Sequence, residues 1–412
     1  MQPFLVSATP ATNEVFDMTI AAPQHLLPSS GAHFGHPLRR LWSLDPAVRF
    51  LNHGSFGATP HHVLAAQSHW REALEREPVR FMVDELPAAL RAARARLAGF
   101  VGAAPANLAF VENATAGANA VLRSLRWQKG DRIVIANHAY PALKNAARFF
   151  AEKHDLKMVE ARVPWPLPHA QALVDAYAEA VEGGARLAIV DHIFSPLAVV
   201  TPTEEAVRLC RARGVPVLVD GAHAPGLLPL SLDALGAMGA DWYVGNCHKW
   251  LCAPKGCGFI FATEEGRREL HPAVISNYFG EGFEREFAWT GTGDPSARLS
   301  VSAALEFIEA LGVERYRDHL RDQARAAAAL IADAWGVAPG APPAMFASMV
   351  TLPLPVDEPA TPASAAYWRL KLLREHGIEV HIIAIDGRLW VRISAQVYNE
   401  LSDYAALARV FA

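Results

Sequence analysis

Cysteine is scarce in this 412-residue chain, which holds only Cys210, Cys247, Cys252 and Cys257. So few thiols exclude a disulfide-stapled scaffold, and the four residues between successive members of the last three do not match the paired short spacings of zinc ribbons. No metal site is expected. Charge of either sign is also thin: charged residues make up 19% and the formal net charge is -4, which removes any electrostatic case for nucleic acid or an anionic membrane as partner. No run of about eighteen apolar residues occurs, so no membrane-crossing helix is expected. The opening stretch MQPFLVSATPATNEVFDM has neither a basic start nor an apolar core, so it does not read as a secretory signal. Its small, polar, proline-containing makeup predicts a poorly anchored extension. Reduced thiols with no export signal make a cytoplasmic location the expectation. Glycine-rich dinucleotide fingerprints and Walker loops are missing from any convincing strand-to-helix context.

What is present is an ordinary globular balance, with 51% hydrophobic residues in a chain long enough for a large domain and a smaller one. From Val83 to Val101 apolar residues recur three and four apart, the stripe of an amphipathic helix. Short apolar runs follow: LAFV from Leu108, RIVIA from Arg132, LAIV from Leu187, VPVLVD from Val215, WYVG from Trp242 and GFIF from Gly258. Most are separated by helix-length segments, as parallel strands joined by crossovers require. The last two lie too close for that and suggest an antiparallel element. After about Phe283 the texture changes to helices (LSVSAALEFIEALG, RDQARAAAALIADAWG), a proline-rich connection (GVAPGAPPAMF), and alternating strands and a helix through MVTLPLP, AAYWRLKLLREHG, EVHIIAID and LWVRIS. The expected organisation is an N-terminal extension over 1–40, a segment over 41–59 tied to the smaller domain, a three-layer α/β/α domain with a mostly parallel sheet over 60–283, and a smaller α+β domain over 284–412.

In open parallel sheets ligands bind outside the carboxyl ends of the strands. The polar residues that follow the apolar runs are Asn113 and Thr115, the NHAY segment ending in Tyr140, Asp191, Asp220 and, shortly after DWYVG, Lys249. Taken singly, a strand-end aspartate also serves as a helix N-cap and a loop lysine as a solvated charge. Asp220 and Lys249 together supply the carboxylate and the amine that pyridoxal phosphate requires. The carboxylate keeps the pyridine nitrogen protonated, and the amine bonds the aldehyde and carries protons. ENATAGANAVLRSL offers a helix N-terminus for the phosphate, with Thr115, Ala116 and Gly117 opening the helical pattern.

The segments FLNHGSFGATP, ENATAGANA, VDGAHAPG, GADWYVGNCHKWLCAPKGCGF, WTGTGDPSA and RISAQVYN, in that order, resemble the class V aminotransferase branch of the fold-type I pyridoxal-phosphate enzymes, nearest to its isopenicillin N epimerase-like group. The resemblance runs from about Trp42 onward. It implies that Lys249 is the Schiff-base lysine, that Asp220 pairs with the pyridine nitrogen, and that His223 stands near the phenolic oxygen. It puts Tyr140 over the cofactor face, where a core aromatic is the plainer alternative, and Ser195 near the cofactor. It implies phosphate contacts from Thr115, Ala116, Asn246 and His248, although relatives often carry serine where Asn246 stands. Thr292 matches a threonine that reaches a neighbouring subunit's cofactor, which implies a homodimer.

Arg392 matches the arginine that grips the substrate carboxylate, where an unrelated strand arginine would form a surface ion pair. Asn52 and His53 lie in a loop over the substrate pocket, with turn formation and packing as their plainer roles. The substrate class implied is an amino acid or a small molecule containing one. The branch hosts epimerases, carbon–sulfur lyases, aminotransferases and cysteine desulfurases. The epimerase-like reaction leads by motif, and the desulfurase is disfavoured because no cysteine follows Cys257. A non-catalytic binding relative would have lost Lys249, Asp220 or Arg392, and all three are present.

Overall fold

A computed structural model of the chain describes residues 23–29 and 31–412. The stretch expected as a poorly anchored extension, and the reading of no secretory signal, lie largely outside the described residues. The described end of that region docks on the C-terminal part of the chain: Gly35 donates its N–H to Val397 O at 2.7 Å, and His36 its N–H to Glu400 Oε1 at 2.8 Å.

The apolar runs become the strands β1 (Leu108–Val111), β2 (Arg132–Ala136), β4 (Leu187–Asp191), β5 (Val217–Asp220), β6 (Trp242–Asn246) and β7 (Gly258–Ala262), and a further strand, β3 (Lys157–Ala161), joins them. They form one sheet in the order β1-β7-β6-β5-β4-β2-β3. All neighbours run parallel except β7, which is antiparallel to both β1 and β6. The close spacing of the last two runs thus marks the antiparallel element that the sequence suggested. Strands β4 to β7 are buried at every residue, because helices cover both faces of the sheet. These include α1 (Ala114–Ser124), α2 (Pro141–His154), α3 (Gln171–Val181) and α4 (Thr203–Ala212). The result is a three-layer α/β/α fold of fold type I.

Two expectations shift. β3 went unread because it is an edge strand of mixed polarity, KMVEA, with only its last residue buried. The expected stripe from Val83 breaks at its start: a π-helical turn over Phe81–Glu85 precedes the α-helix Leu86–Val101. A π-turn takes in extra chain, so the phase slips; Phe81 turns inward and Val83 is 65% exposed.

Downstream, a three-stranded antiparallel sheet is formed by β8 (Met349–Pro353), β9 (His381–Ile385) and β10 (Arg388–Ser394), in the order β8-β10-β9. The helix α5 (Val313–Trp335) packs on β8. Two-residue strands at Arg49–Phe50 and Ile378–Glu379 pair in parallel and bring the Asn52 segment beside β10. Leu51 then accepts the N–H of Ser394 at 2.8 Å. Residues more than 300 positions apart are thereby joined at one side of the large sheet. Among the described residues no helix is long and apolar enough to cross a membrane, and no three His, Cys, Asp or Glu side chains are gathered to hold a metal ion.

Candidate active site

The carboxyl ends of β4, β5 and β6 present Asp191, Asp220 and Asn246, and Lys249 lies in the tight turn after β6. Lys249 is 8% exposed, its Nζ 2.9 Å from His223 Nε2 and 6.0 Å from the centre of the Tyr140 ring. Burial, and then the charge of Arg392, pull its amine from 10.5 down to about 7, while Asp220 acts in the opposite sense. A large share of the amine is therefore free near neutrality, as a nucleophile and proton carrier needs.

His223 is tied on both ring nitrogens. Trp250 Nε1 donates to Nδ1 at 3.3 Å, and Ser195 Oγ lies 3.1 Å from Nε2. Burial first, then the charges of Lys249 and Arg392, hold its pKa well below the ordinary histidine value, so the ring is neutral.

Asp220 and Asp191 are register partners across β5 and β4. One Asp220 oxygen accepts the Ala222 N–H at 3.0 Å, and Oδ2 of Asp191 has no partner. Burial raises both acids, and Asp220's charge raises Asp191 further. Two carboxyls side by side in an apolar setting favour keeping one proton between them. Among the described residues neither forms an ion pair. Asp220 is thus a buried acid without a bound cation, which suits a protonated pyridine nitrogen.

Arg392, on β10, is almost wholly buried, yet no carboxylate of the described residues lies within ion-pair distance. Its Nη1 donates to Ser195 O at 2.6 Å and Ser195 Oγ at 3.2 Å, its Nη2 donates to Ser55 Oγ at 3.1 Å, and Nε has no partner. Burial brings its pKa to about 10. A buried guanidinium bound only to neutral groups is suited to an incoming carboxylate. Ser195 joins the two halves, touching both His223 and Arg392.

The helix α1 starts against β6. Asn113 caps it by accepting the Ala116 N–H at 2.9 Å, and Asn246 Oδ1 accepts the Ala114 N–H at 2.9 Å. A side chain at Gly117 would collide with Val244, so glycine is what lets the helix start approach the sheet. Thr115, Ala116 and Asn246 are thus gathered at one helix N-terminus, where a phosphate is expected, although the Ala116 N–H is given to Asn113 and Asn246 Oδ1 acts there as an acceptor. His248, next to the lysine, lies 3.4 Å through Nδ1 from Cys257 O, and burial takes its pKa to about 4.

Other expected residues fall differently. His53 is fully buried under the lysine turn, with Nδ1 2.8 Å from Tyr398 OH and Nε2 3.1 Å from Lys249 O; its position is that of a brace for the turn. Next to it, Gly57, at φ 70°, presses against His248 O and Lys249 Cα where a side chain has no room. Asn52 lines a cavity of about 620 Å³ beside Arg392, together with Ser55, Arg369, Glu379 and His381. Thr292 is exposed on a loop and makes no hydrogen bond to the Lys249 cluster. Sequence reading missed Ser55 and Trp250, although both stand inside motifs that it used: FLNHGSFGATP and NCHKWLCAPKG.

A buried amine, two buried acids and an arginine without a carboxylate partner, gathered at the strand ends, suit pyridoxal phosphate bound on a fold of fold type I. The chain matches the model of the aminotransferase class-V family over residues 54–399 and belongs to that family. It is therefore an enzyme, with pyridoxal 5'-phosphate as its cofactor. It is 33% identical over 392 residues to a probable chloroplastic L-cysteine desulfhydrase of Arabidopsis thaliana, covering 88% of this chain and 82% of that protein. It is 32% identical over 385 residues to an isopenicillin N epimerase of Streptomyces clavuligerus, covering 89% and 94%. The apo cysteine desulfurase of Thermococcus onnurineus shares the fold, with TM-score 0.74 and 20% identity over 92% of this chain and 98% of that one.

Proposed function

We propose that the chain is a carbon–sulfur lyase that removes the Cα proton of an amino acid and expels a sulfur group from Cβ. L-Cysteine is the simplest such substrate: with water it yields pyruvate, hydrogen sulfide and ammonia. The observation that carries this reading is the buried Lys249 amine, 2.9 Å from His223 Nε2 and held near neutrality. Lys249 stands at about 7, whereas burial holds His248 at about 4, His381 at about 3 and His223 well below its ordinary value. Elimination needs one base that can also hand a proton to the departing sulfur. The relatives named L-cysteine desulfhydrase and hercynylcysteine sulfoxide lyase support the same reading.

Pyridoxal phosphate, when bound, supplies an electron sink that makes the Cα proton acidic. Asp220 would hold its ring nitrogen, His223 its phenolic oxygen, and Thr115, Ala116, Asn246 and His248 its phosphate. Arg392 grips the substrate carboxylate and fixes which Cα bond breaks. Lys249 takes the Cα proton and, as an ammonium, returns it to sulfur. Tyr140, whose ring faces the Lys249 amine, closes the far side. All four cysteines are buried, so no thiolate stands ready to take sulfur from the substrate, and sulfur leaves free. The enzyme acts as a homodimer that presents the exposed Thr292 to its partner's site.

Epimerisation is the second reading, favoured by the equal identity with two isopenicillin N epimerases. It needs a second acid, and the Tyr140 phenol is the candidate. Incubation with L-cysteine in heavy water separates the reactions. Pyruvate and sulfide in equal amounts support the lyase. Recovered amino acid that is inverted and deuterated at Cα, or a keto acid that keeps its sulfur, overturns it.

A further inference from the structure

We propose that Glu379, which touches neither Lys249 nor Arg392, is a positioning residue that orients the carboxylate clamp through a one-way chain of hydrogen bonds. The inference rests on Arg392 as the group that binds the substrate carboxylate. Glu379 Oε2 accepts from Arg369 Nη1 at 2.9 Å, and Glu379 Oε1 accepts from Asn52 Nδ2 at 3.1 Å. Asn52 Oδ1 accepts from Ser55 Oγ at 2.6 Å, and Ser55 Oγ accepts from Arg392 Nη2 at 3.1 Å.

Each direction follows from the chemistry of the ends. An ionised carboxylate can only accept and a guanidinium can only donate. Glu379 therefore forces the Asn52 amide to turn its NH2 outward and its oxygen toward Ser55. The Ser55 proton must then go to Asn52, which leaves the hydroxyl lone pairs facing Arg392. Arg369 holds Glu379 in place. The chain runs along the wall of the 620 Å³ cavity, where water could otherwise turn the amide or rotate the hydroxyl. With Ser55 reversed, two donors would face each other at Arg392 and the guanidinium plane would swing from its seat. Ser195 holds the other side of the same plane through its carbonyl and hydroxyl oxygens.

Asn52 alone could be a turn residue and Arg369–Glu379 alone a half-exposed ion pair. Their joint alignment on one buried arginine without a carboxylate partner is what the separate roles leave unexplained. The test uses Glu379→Gln and Glu379→Asp in the holoenzyme, with L-alanine and ethylamine as probes, an amino acid and its counterpart without the carboxylate. Binding is read from the visible absorption of the bound cofactor. Glu379→Gln is expected to weaken L-alanine about tenfold and leave ethylamine unchanged, and Glu379→Asp to recover most of the loss. Equal weakening of both probes, or no change in either, overturns the proposal.

L-Alanine carries no sulfur, so the outcome is independent of whether sulfur is expelled. A wild-type protein that binds ethylamine as tightly as L-alanine would remove the clamp, and this proposal with it. A ligand-free readout stands beside these. The Arg392 Nε–H resonance of the 15N-labelled cofactor-free protein, assigned with Arg392→Lys, is expected to shift in Glu379→Gln. An unmoved resonance counts against the chain.

Discussion

The indole N–H of Trp250 points at Nδ1 of His223 from 3.3 Å. An indole nitrogen can only donate, so a neutral His223 must carry its proton on Nε2, the atom 2.9 Å from the Lys249 amine. A fully buried tryptophan thereby selects the tautomer that turns the His223 N–H toward the Lys249 amine.

Trp250→Phe keeps the ring volume and removes that donor. The expected result is a mixture of His223 tautomers, visible in 15N imidazole shifts. Turnover should fall about tenfold with KM changed by less than about twofold, because orientation of a proton donor is lost and substrate binding is not. An unchanged tautomer would show that burial alone selects it.

Stability of the cofactor-free protein should report the depressed Lys249 amine. The folded pKa of about 7 lies below the unfolded value of 10.5, so the unfolded chain binds more protons between those limits. Stability due to this group therefore rises as pH climbs through that window, and below about 7 the full cost of the buried cation is felt. Lys249→Met should be the more stable protein at about pH 6, by on the order of 4 kcal/mol, with the gap closing toward pH 10.5. Denaturant melts of the two proteins across that range measure it; a constant gap would mean that the amine is not desolvated.

Arg392→Ala should raise KM for an amino acid substrate about a hundredfold, through loss of a buried charged hydrogen bond pair. Arg392→Lys should recover little, because an ammonium cannot reproduce the two-pronged grip. Steady-state kinetics on both variants provides the check, and full recovery by lysine would point to a simple charge effect.

Iodoacetamide should leave the native enzyme active. Burial pushes the Cys252 thiol up to about 12 and Cys210 up to about 11, and Cys247 is raised well above its ordinary value, so none of these forms an exposed thiolate. Loss of sulfide release in step with alkylation of one cysteine would revive a persulfide route.

Much of the large sheet was legible because its strands are buried on both faces and read as unbroken apolar runs, VLVD and GFIFA among them. β3 was not, since an edge strand half open to solvent carries no such run. Lys249, Asp220 and His223 were legible because short motifs hold them near one another in sequence. Ser55 and Trp250 lie in FLNHGSFGATP and NCHKWLCAPKG but gain meaning only from partners elsewhere. Ser55 matters through Arg392, 337 positions away, and nothing local in GSFG announces that contact. His53 shows the reverse. Its motif suggested the pocket, and the fold spends both ring nitrogens on the protein.

The turn that carries Gly57 and His53 also reaches Ser394, Gln396 and Tyr398, whose side chains come from the last twenty residues of the chain. A ribosome therefore finishes the reactive lysine's own loop long before the braces beneath it have been made. Chains stopped short of β10 would lack those braces, so the Lys249 loop is expected to take its fixed form only once the C-terminal sheet has folded against it.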